Sequence, residues 1–367
     1  MGIYYILLVI ILLEAVLIFL NGSSNKKKKI YLYLVFLKLF IISAFRSANI
    51  GNDTETYIDL FNRLGQAESL FSVQTRYEIG FVLLNRIVYF FNSNSQAIII
   101  VTSFIILYLF LTFIYKESSI AWLSVYLFIT LRYFYATMNT IRFCLAMGII
   151  FVSFKYLKER KIIPFSITVI IATCFHTTAI IFLIAYPIVN LKFNRKNFIL
   201  LSIAAIIGFV AFNPLLDLAF TLFPQYKHYL TSSYFKGNLL ANYIQFLINF
   251  VILTFSLIIV KRNKKQLIFN ENLGEDSEVN ILLYIMTLGT IFSFMAIRAS
   301  LLDRVASYFS VFSIILIPKI IKMVKNKYEK SIYVYLIMFF TLLYHTVIFI
   351  YRPEWNIVFP YEFFWRN

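Results

Sequence analysis

Charge is scarce in this chain. Only 14% of its 367 residues are Asp, Glu, Lys or Arg, while 61% are hydrophobic and 19% aromatic. Stretches without an apolar run reach only about thirty residues, too few for an independent soluble core. Cysteine is nearly absent. Cys144 and Cys174 both lie inside apolar runs, where a free thiol behaves as a small hydrophobe, so neither a disulfide framework nor a metal site is expected. The first apolar run (residues 3–20) lacks a basic region before it and a small-residue cleavage site after it, so it is read as a retained span. No internal repeat is apparent, which counts against a transporter built from inverted halves. No acidic pair is arranged for a divalent cation, and no cofactor is expected.

The charge that is present has one dominant sign. A formal net charge of +17 would suggest nucleic acid in a soluble chain. Here the basic residues fall in short blocks between apolar runs, as the positive-inside rule describes, and no nucleic-acid partner is expected. The blocks NKKKK (25–29), KYLKERK (155–161), KFNRK (192–196), KRNKK (261–265) and KMVKNKYEK (322–330) mark the cytoplasmic face. Threading the chain between them gives an all-α, polytopic integral membrane protein with about twelve membrane-entering helices, both termini outside. It is read as a single integral domain over residues 1–367, with external loops at 46–80, 213–242 and 351–367.

Two segments are too short or too long to be plain spans. FVLLNRIVYFF (81–91) makes only about 17 Å of helix against a core of about 30 Å. It is read as an outer interfacial or re-entrant helix with Asn85 and Arg86 on its polar edge. Residues 162–190 have basic blocks on both flanks, so the chain must cross an even number of times. One helix of about 43 Å would also need excessive tilt. A hairpin of two short helices places FHTT (175–178) at its tip, near the outer surface, with Thr177 or Thr178 capping the second helix.

The remaining ionisable groups gather at the outer ends of the spans: Arg46, Asp53, Glu78, Arg142, His176, Arg298, Asp303, Arg304 and His345. Charges at such depth tend to be paired, water-exposed or functional. Arg142 lies in the first turn of its helix, where the dipole disfavours a cation. Either a phosphate or carboxylate ligand relieves it, with Asn139 or Thr140 capping the helix, or a pairing with Glu78 or Asp53, or snorkelling into headgroups. Arg304 repeats the pattern after Asp303, as a ligand-binding group or a local ion pair, and Arg298 precedes it on the same turn. Arg46 could equally end its span, Asp53 serve as a turn or cap residue, and Glu78 sit at a helix N-terminus. His176 titrates near neutral pH and can act as a base or make a buried hydrogen bond. His345 and His228 are read as structural. Tyr57, Tyr77, Tyr308 and Tyr361 offer rings on which sugars can stack.

Taken in order, RSANIGNDTETY (46–57), YEIGF (77–81), MNTIRFCLAMGIIFVSFKYLKERK (138–161), IATCFHTTAIIFLIAYP (171–187), DRVASYF (303–309) and NIVFPYEFF (356–364) resemble the EpsG family of Wzy-like polysaccharide polymerases over nearly the whole chain. One departure is Phe143, where family members commonly have glutamine, so a hydrogen-bonding role there is not carried over. The resemblance implies a bacterial cytoplasmic-membrane enzyme, facing the periplasm or cell exterior, that joins undecaprenyl-pyrophosphate-linked oligosaccharide units. It marks Arg46, Gly51, Asp53, Thr54, Tyr57, Glu78, Asn139, Arg142, His176 and Arg304.

Joined to the residue reading, these become roles. His176 is expected to take the acceptor proton, with Glu78 or Asp53 as substitute. Arg142 and Arg304, then Arg46 and Arg298, are expected on the pyrophosphate, without a metal. Asn139, Tyr57, Tyr308 and Thr54 are expected to touch glycan or support the site. Expected partners are the lipid-linked oligosaccharide, the bilayer and a chain-length-regulating co-polymerase. The alternatives are an O-antigen ligase-type transferase and a non-enzymatic flippase.

Overall fold

The computed structural model describes residues 1–68, 75–222, 239–267 and 273–366. The helices run in order α1 (Gly2–Phe19), α2 (Asn25–Ala44), α3 (Thr54–Gln66), α4 (Ile79–Phe91), α5 (Gln96–Glu117), α6 (Ala121–Thr130), α7 (Tyr133–Asn139), α8 (Ile141–Lys158) and α9 (Ile162–Thr173). A 3-10 helix (Thr177–Ile184) leads into α10 (Ala185–Val189), followed by α11 (Arg195–Val210), α12 (Phe212–Leu222), α13 (Leu239–Leu267), α14 (Leu273–Ala296), α15 (Leu301–Ser310), α16 (Ser313–Met323) and α17 (Lys327–Tyr351). Among the described residues, six stretches are long and apolar enough to cross a membrane: α1, α5, Leu240–Asn263, Glu278–Ala296, Leu301–Met323 and α17. α11 and residues Phe212–Leu218 of α12 form an apolar pair bent by 73°, a broken span or a re-entrant loop. The protein is therefore an all-helical polytopic membrane protein, as its composition predicts. Polar caps start several helices: Ser24 Oγ accepts from the Lys27 amide, Asn194 Oδ1 from Asn197, and Asn326 Oδ1 from Tyr328 and Glu329.

The chain forms two compact units. The first comprises Met1–Lys155, Ile163–Ile180 and Val324–Asn367. In it α2 packs on α5 and α1, α6 on α17, α1 and α7, and α3 lies on α4 and α5. An aromatic ladder fills the contact of α5 with α8, where the Phe113 and Phe151 rings stack 4.1 Å apart. The second comprises Tyr156–Ile162 and Ile181–Met323, with α14 packing against α10, α11, α13, α15 and α16. There Glu278 answers both Lys158 at 3.1 Å and Lys319 at 2.7 Å.

Several local expectations change. The outer loop 46–80 is not irregular throughout, because Thr54–Gln66 is an amphipathic helix burying Tyr57, Leu60, Phe61 and Leu64. Arg86 holds that helix by donating to the carbonyls of Leu64 and Ala67. Its neighbour Asn85 is not on a polar edge: it is buried, with Nδ2 on the Phe81 carbonyl. The apolar run between α5 and α8 breaks at Arg132, between α6 and α7, where φ is 71° and left-handed. Asp303 does not precede a helix as its cap; α15 starts at Leu301, two residues earlier. The short helix at 79–91 is present, and so is the break in 162–190, where α9 stops at Thr173. The base of that segment closes on itself. The Tyr186 hydroxyl donates to the Arg160 carbonyl at 2.6 Å, and the Arg160 guanidinium donates to the Val189 carbonyl at 2.9 Å and to Asn190. His228 and residues 223–238 of the loop 213–242 lie outside the described residues.

Residues 352–364 form a strap across one end of the first unit. The Ser47 amide donates to the Glu362 carbonyl (2.9 Å), the Phe364 amide to Phe45 (3.0 Å), and the Gly51 amide to Ile357 (2.8 Å). Arg46 and Phe363 form an isolated antiparallel bridge. Gly51 is required where it stands: its φ is +91°, and a Cβ would come within 2.3 Å of the Met138 carbonyl oxygen.

Candidate functional site

The candidate site is built by three chain segments of the first unit. Glu78 immediately precedes α4, yet its carboxylate makes no cap bond to its own helix. It reaches across instead. Oε2 pairs with Nη1 of Arg142 in the first turn of α8, and Oε1 accepts from the Thr177 amide at 2.9 Å and the Thr177 hydroxyl at 3.1 Å. Of the alternatives open for Arg142, the structure thus contains the pairing with Glu78.

A glycine makes this approach possible. The Gly80 amide donates to the Cys174 carbonyl at 2.8 Å, and a Cβ on Gly80 would fall 2.6 Å from that oxygen. With no side chain in the way, the turn after α9 rests on the first turn of α4, and Thr177 arrives beside Glu78. His176 sits in the same turn, largely buried, with Nδ1 2.7 Å from the Thr178 hydroxyl. Phe143, the departure from the family pattern, stands edge-on to the His176 ring at 5.5 Å. It gives the imidazole an apolar wall instead of a hydrogen bond.

Two tyrosines complete the setting. The Arg142 guanidinium lies over the Tyr77 ring at 4.4 Å and near the Tyr57 ring at 5.9 Å, and its Nε has no hydrogen-bond partner. Tyr57 also reaches Asp53 at 3.5 Å, so Asp53 joins the cluster through that ring. Burial works to raise the Glu78 carboxyl. The Thr177 amide, Arg142, its own backbone amide and His176 outweigh burial and hold it below the usual carboxylate range. Glu78 is a fixed negative charge, engaged on both oxygens.

The other sequence-marked residues are placed elsewhere. Thr54 is buried and donates to the Ile50 carbonyl at 2.6 Å, tightening the loop around Gly51. Asn139 does not cap α8: its Oδ1 accepts from the Asn52 amide at 2.9 Å, and its Nδ2 faces the Trp355 carbonyl of the strap at 3.4 Å. Thr140 takes the cap position, and its carbonyl accepts from the Cys144 amide. Arg46 does not join Arg142. It is fully buried, with Nη1 donating to the Ser43 carbonyl and Ser103 hydroxyl, and burial pushes its guanidinium down to about 10 against the pull of Tyr361 and Tyr4. Arg298, Asp303, Arg304 and Tyr308 belong to the second unit. Arg298 is exposed and lies over the Phe209 ring at 4.7 Å, Arg304 is half-buried in the first turn of α15, and Asp303 has a buried oxygen without a hydrogen-bond partner. Tyr308 is buried, so its ring is not a surface for a sugar. His345 is buried against Tyr135, Tyr5 and Phe349.

One participant lies beyond the sequence reading: Tyr77 reads only as a sugar platform, although its place one residue before Glu78 puts its ring on Arg142.

Comparison with known proteins adds one positive result. No curated protein and no solved structure matches the chain. The model of the EpsG family matches residues 29–363, which include every segment of the site just described. The chain belongs to the EpsG family.

Proposed function

We propose that this protein is a polysaccharide polymerase, a membrane glycosyltransferase that joins undecaprenyl-pyrophosphate-linked oligosaccharide units at the outer face of the bacterial cytoplasmic membrane. Membership of the EpsG family supports polymerase-type activity in general. The observation that carries the finer reading is the meeting of Arg142, Glu78 and the turn bearing His176, from three separated segments. Such a cluster suits displacement of a lipid pyrophosphate.

In that reaction the oxygen of an acceptor sugar hydroxyl bonds to the anomeric carbon of the donor glycan. The bond from that carbon to the pyrophosphate oxygen breaks, and its electron pair leaves with the pyrophosphate. Arg142 carries donors that stabilise the departing charge, and Glu78 fixes the guanidinium in place while Tyr77 flanks it. In the tautomer whose Nδ1–H donates to Thr178, Nε2 of His176 is the nitrogen assigned to the acceptor proton. The negative charge of Glu78 nearby favours the imidazolium that results. Asp53 is kept as a substitute base. Guanidinium groups and helix amides supply the charge stabilisation, so no divalent metal is required on this reading.

The test is reconstitution of the purified protein with lipid-linked repeat units. A ladder of longer glycans that persists in EDTA is the expected result. Transfer to a different acceptor would replace the reading with a ligase, and translocation without new linkages would replace it with a flippase.

A further inference from the structure

A second cluster of basic groups lies in the first unit, and its cations have no counter-charge. Arg132 is 6% exposed; its Nη2 donates to the Asn356 side-chain oxygen at 2.6 Å, and its Nη1 is buried without a hydrogen-bond partner. Its guanidinium lies over the rings of Phe349 at 5.0 Å and Tyr135 at 5.4 Å. His345, 1% exposed, faces the Tyr135 hydroxyl through Nε2 at 3.4 Å and leaves Nδ1 unpartnered. Arg46 leaves Nε and Nη2 unpartnered. The Tyr4 ring lines the cluster, 5.1 Å from Tyr135, 5.7 Å from Phe349 and 6.0 Å from Tyr361.

Among the described residues no carboxylate pairs with Arg132 or Arg46. That sets them apart from Lys38, Arg142, Lys158 and Lys319, each of which has one. Burying an uncompensated guanidinium is expensive, and Arg132 adds the strain of a left-handed backbone. A methionine or leucine would fill the same aromatic pocket at lower cost. A neutral amide oxygen on a half-exposed residue of the strap is what occupies the guanidinium fork. An oxyanion binds such a fork better.

We propose that Arg132, with His345 beside it, forms a second oxyanion site, separate from Arg142, which takes the phosphate headgroup of a lipid when Asn356 gives way. The lipid character follows from the surroundings. α17 and α1 flank the cluster, and both turn apolar side chains outward: Leu343, Val347 and Ile350 on α17, Ile6 and Ile10 on α1. Two sources carry this chemistry, a polyprenyl pyrophosphate and an anionic phospholipid. The assignment to a substrate rests on the polymerase reading, because transfer between two lipid-linked glycans requires two anionic headgroups to be held at once.

The test uses the full chain in phosphatidylcholine nanodiscs, titrated with undecaprenyl pyrophosphate. Wild type is expected to bind two equivalents, Arg132→Met one, and Arg132→Lys, which keeps the charge, two. Phosphatidylglycerol in place of phosphatidylcholine separates the sources. If it abolishes the second equivalent, the site belongs to a membrane phospholipid; if both equivalents persist, it belongs to the lipid-linked substrate. Either result supports the oxyanion site. Two equivalents bound by Arg132→Met, or one by wild type in phosphatidylcholine, overturns it. Arg142→Met reports on the polymerase site alone and is expected to lose the other equivalent.

Discussion

At the residue scale, the division of labour among the charged groups follows from who answers whom. Glu78 is engaged on both oxygens, by Arg142 on one and by Thr177 on the other. On the proposed mechanism His176, walled by Phe143 and hydrogen-bonded to Thr178, exchanges the proton with substrate. His176→Ala is therefore expected to lower polymer formation by about 10²–10⁴-fold, read as loss of the glycan ladder with membrane insertion unchanged. Glu78→Gln should leave the Thr177 contacts largely in place and leave Arg142 without its counter-charge. A weaker ladder and a lower melting temperature in detergent are expected. The pH dependence has a definite sign. The fold holds the Glu78 carboxyl below its ordinary value, so its contribution is fully present above about pH 5 and is lost as pH falls through the lowered folded value. Melting curves of wild type and Glu78→Gln should thus converge in acid and stay apart from pH 6 to 8.

At the element scale, the site depends on how closely two helix ends approach. Gly80 admits the Cys174 carbonyl, and that single contact carries the turn with His176 and Thr177 to the start of α4. Gly80→Ala places a methyl group against a backbone oxygen that cannot move without moving the turn. A loss of about 1–3 kcal/mol is expected, visible in thermal unfolding, together with a weaker ladder. Arg86 works at the other end of α4, closing the last turn of α3 through the Leu64 and Ala67 carbonyls. Arg86→Ala should release that turn at a cost of about 1.5–3 kcal/mol, measured as faster amide exchange in residues 60–67. Away from its buried residues Phe81, Asn85 and Val88, α4 exposes Ile79, Leu83, Ile87, Phe90 and Phe91, with Phe90 84% exposed. That stripe fits a helix lying at a membrane interface.

For the whole molecule, the sequence carried the class and many of the spans, because hydropathy and lysine blocks report directly on a bilayer. It also carried the break before His176, since two basic flanks forbid a single crossing, and the short α4, since eleven apolar residues cannot span. It could not show that α3 is a helix: its period is amphipathic, but it stands in a polar loop. Nor could it show the turn at Arg132, which reads as one cation in an apolar run. Pair partners were open for a similar reason. Glu78 and Asp53 were both candidates for Arg142, and the choice is made by Gly80 and the turn it admits. Orientation is testable directly. In a background without Cys144 and Cys174, Asn52→Cys should react with a membrane-impermeant maleimide in intact cells, and Lys27→Cys only after permeabilisation. The strap has a temporal consequence. Residues 352–364 follow α17 in the chain and supply the carbonyls that receive the amides of Ser47 and Gly51, so the outer loop cannot adopt its final form while α17 is still being inserted. A nascent chain thus cannot close the turn around Gly51 until α17 and the strap behind it have been delivered.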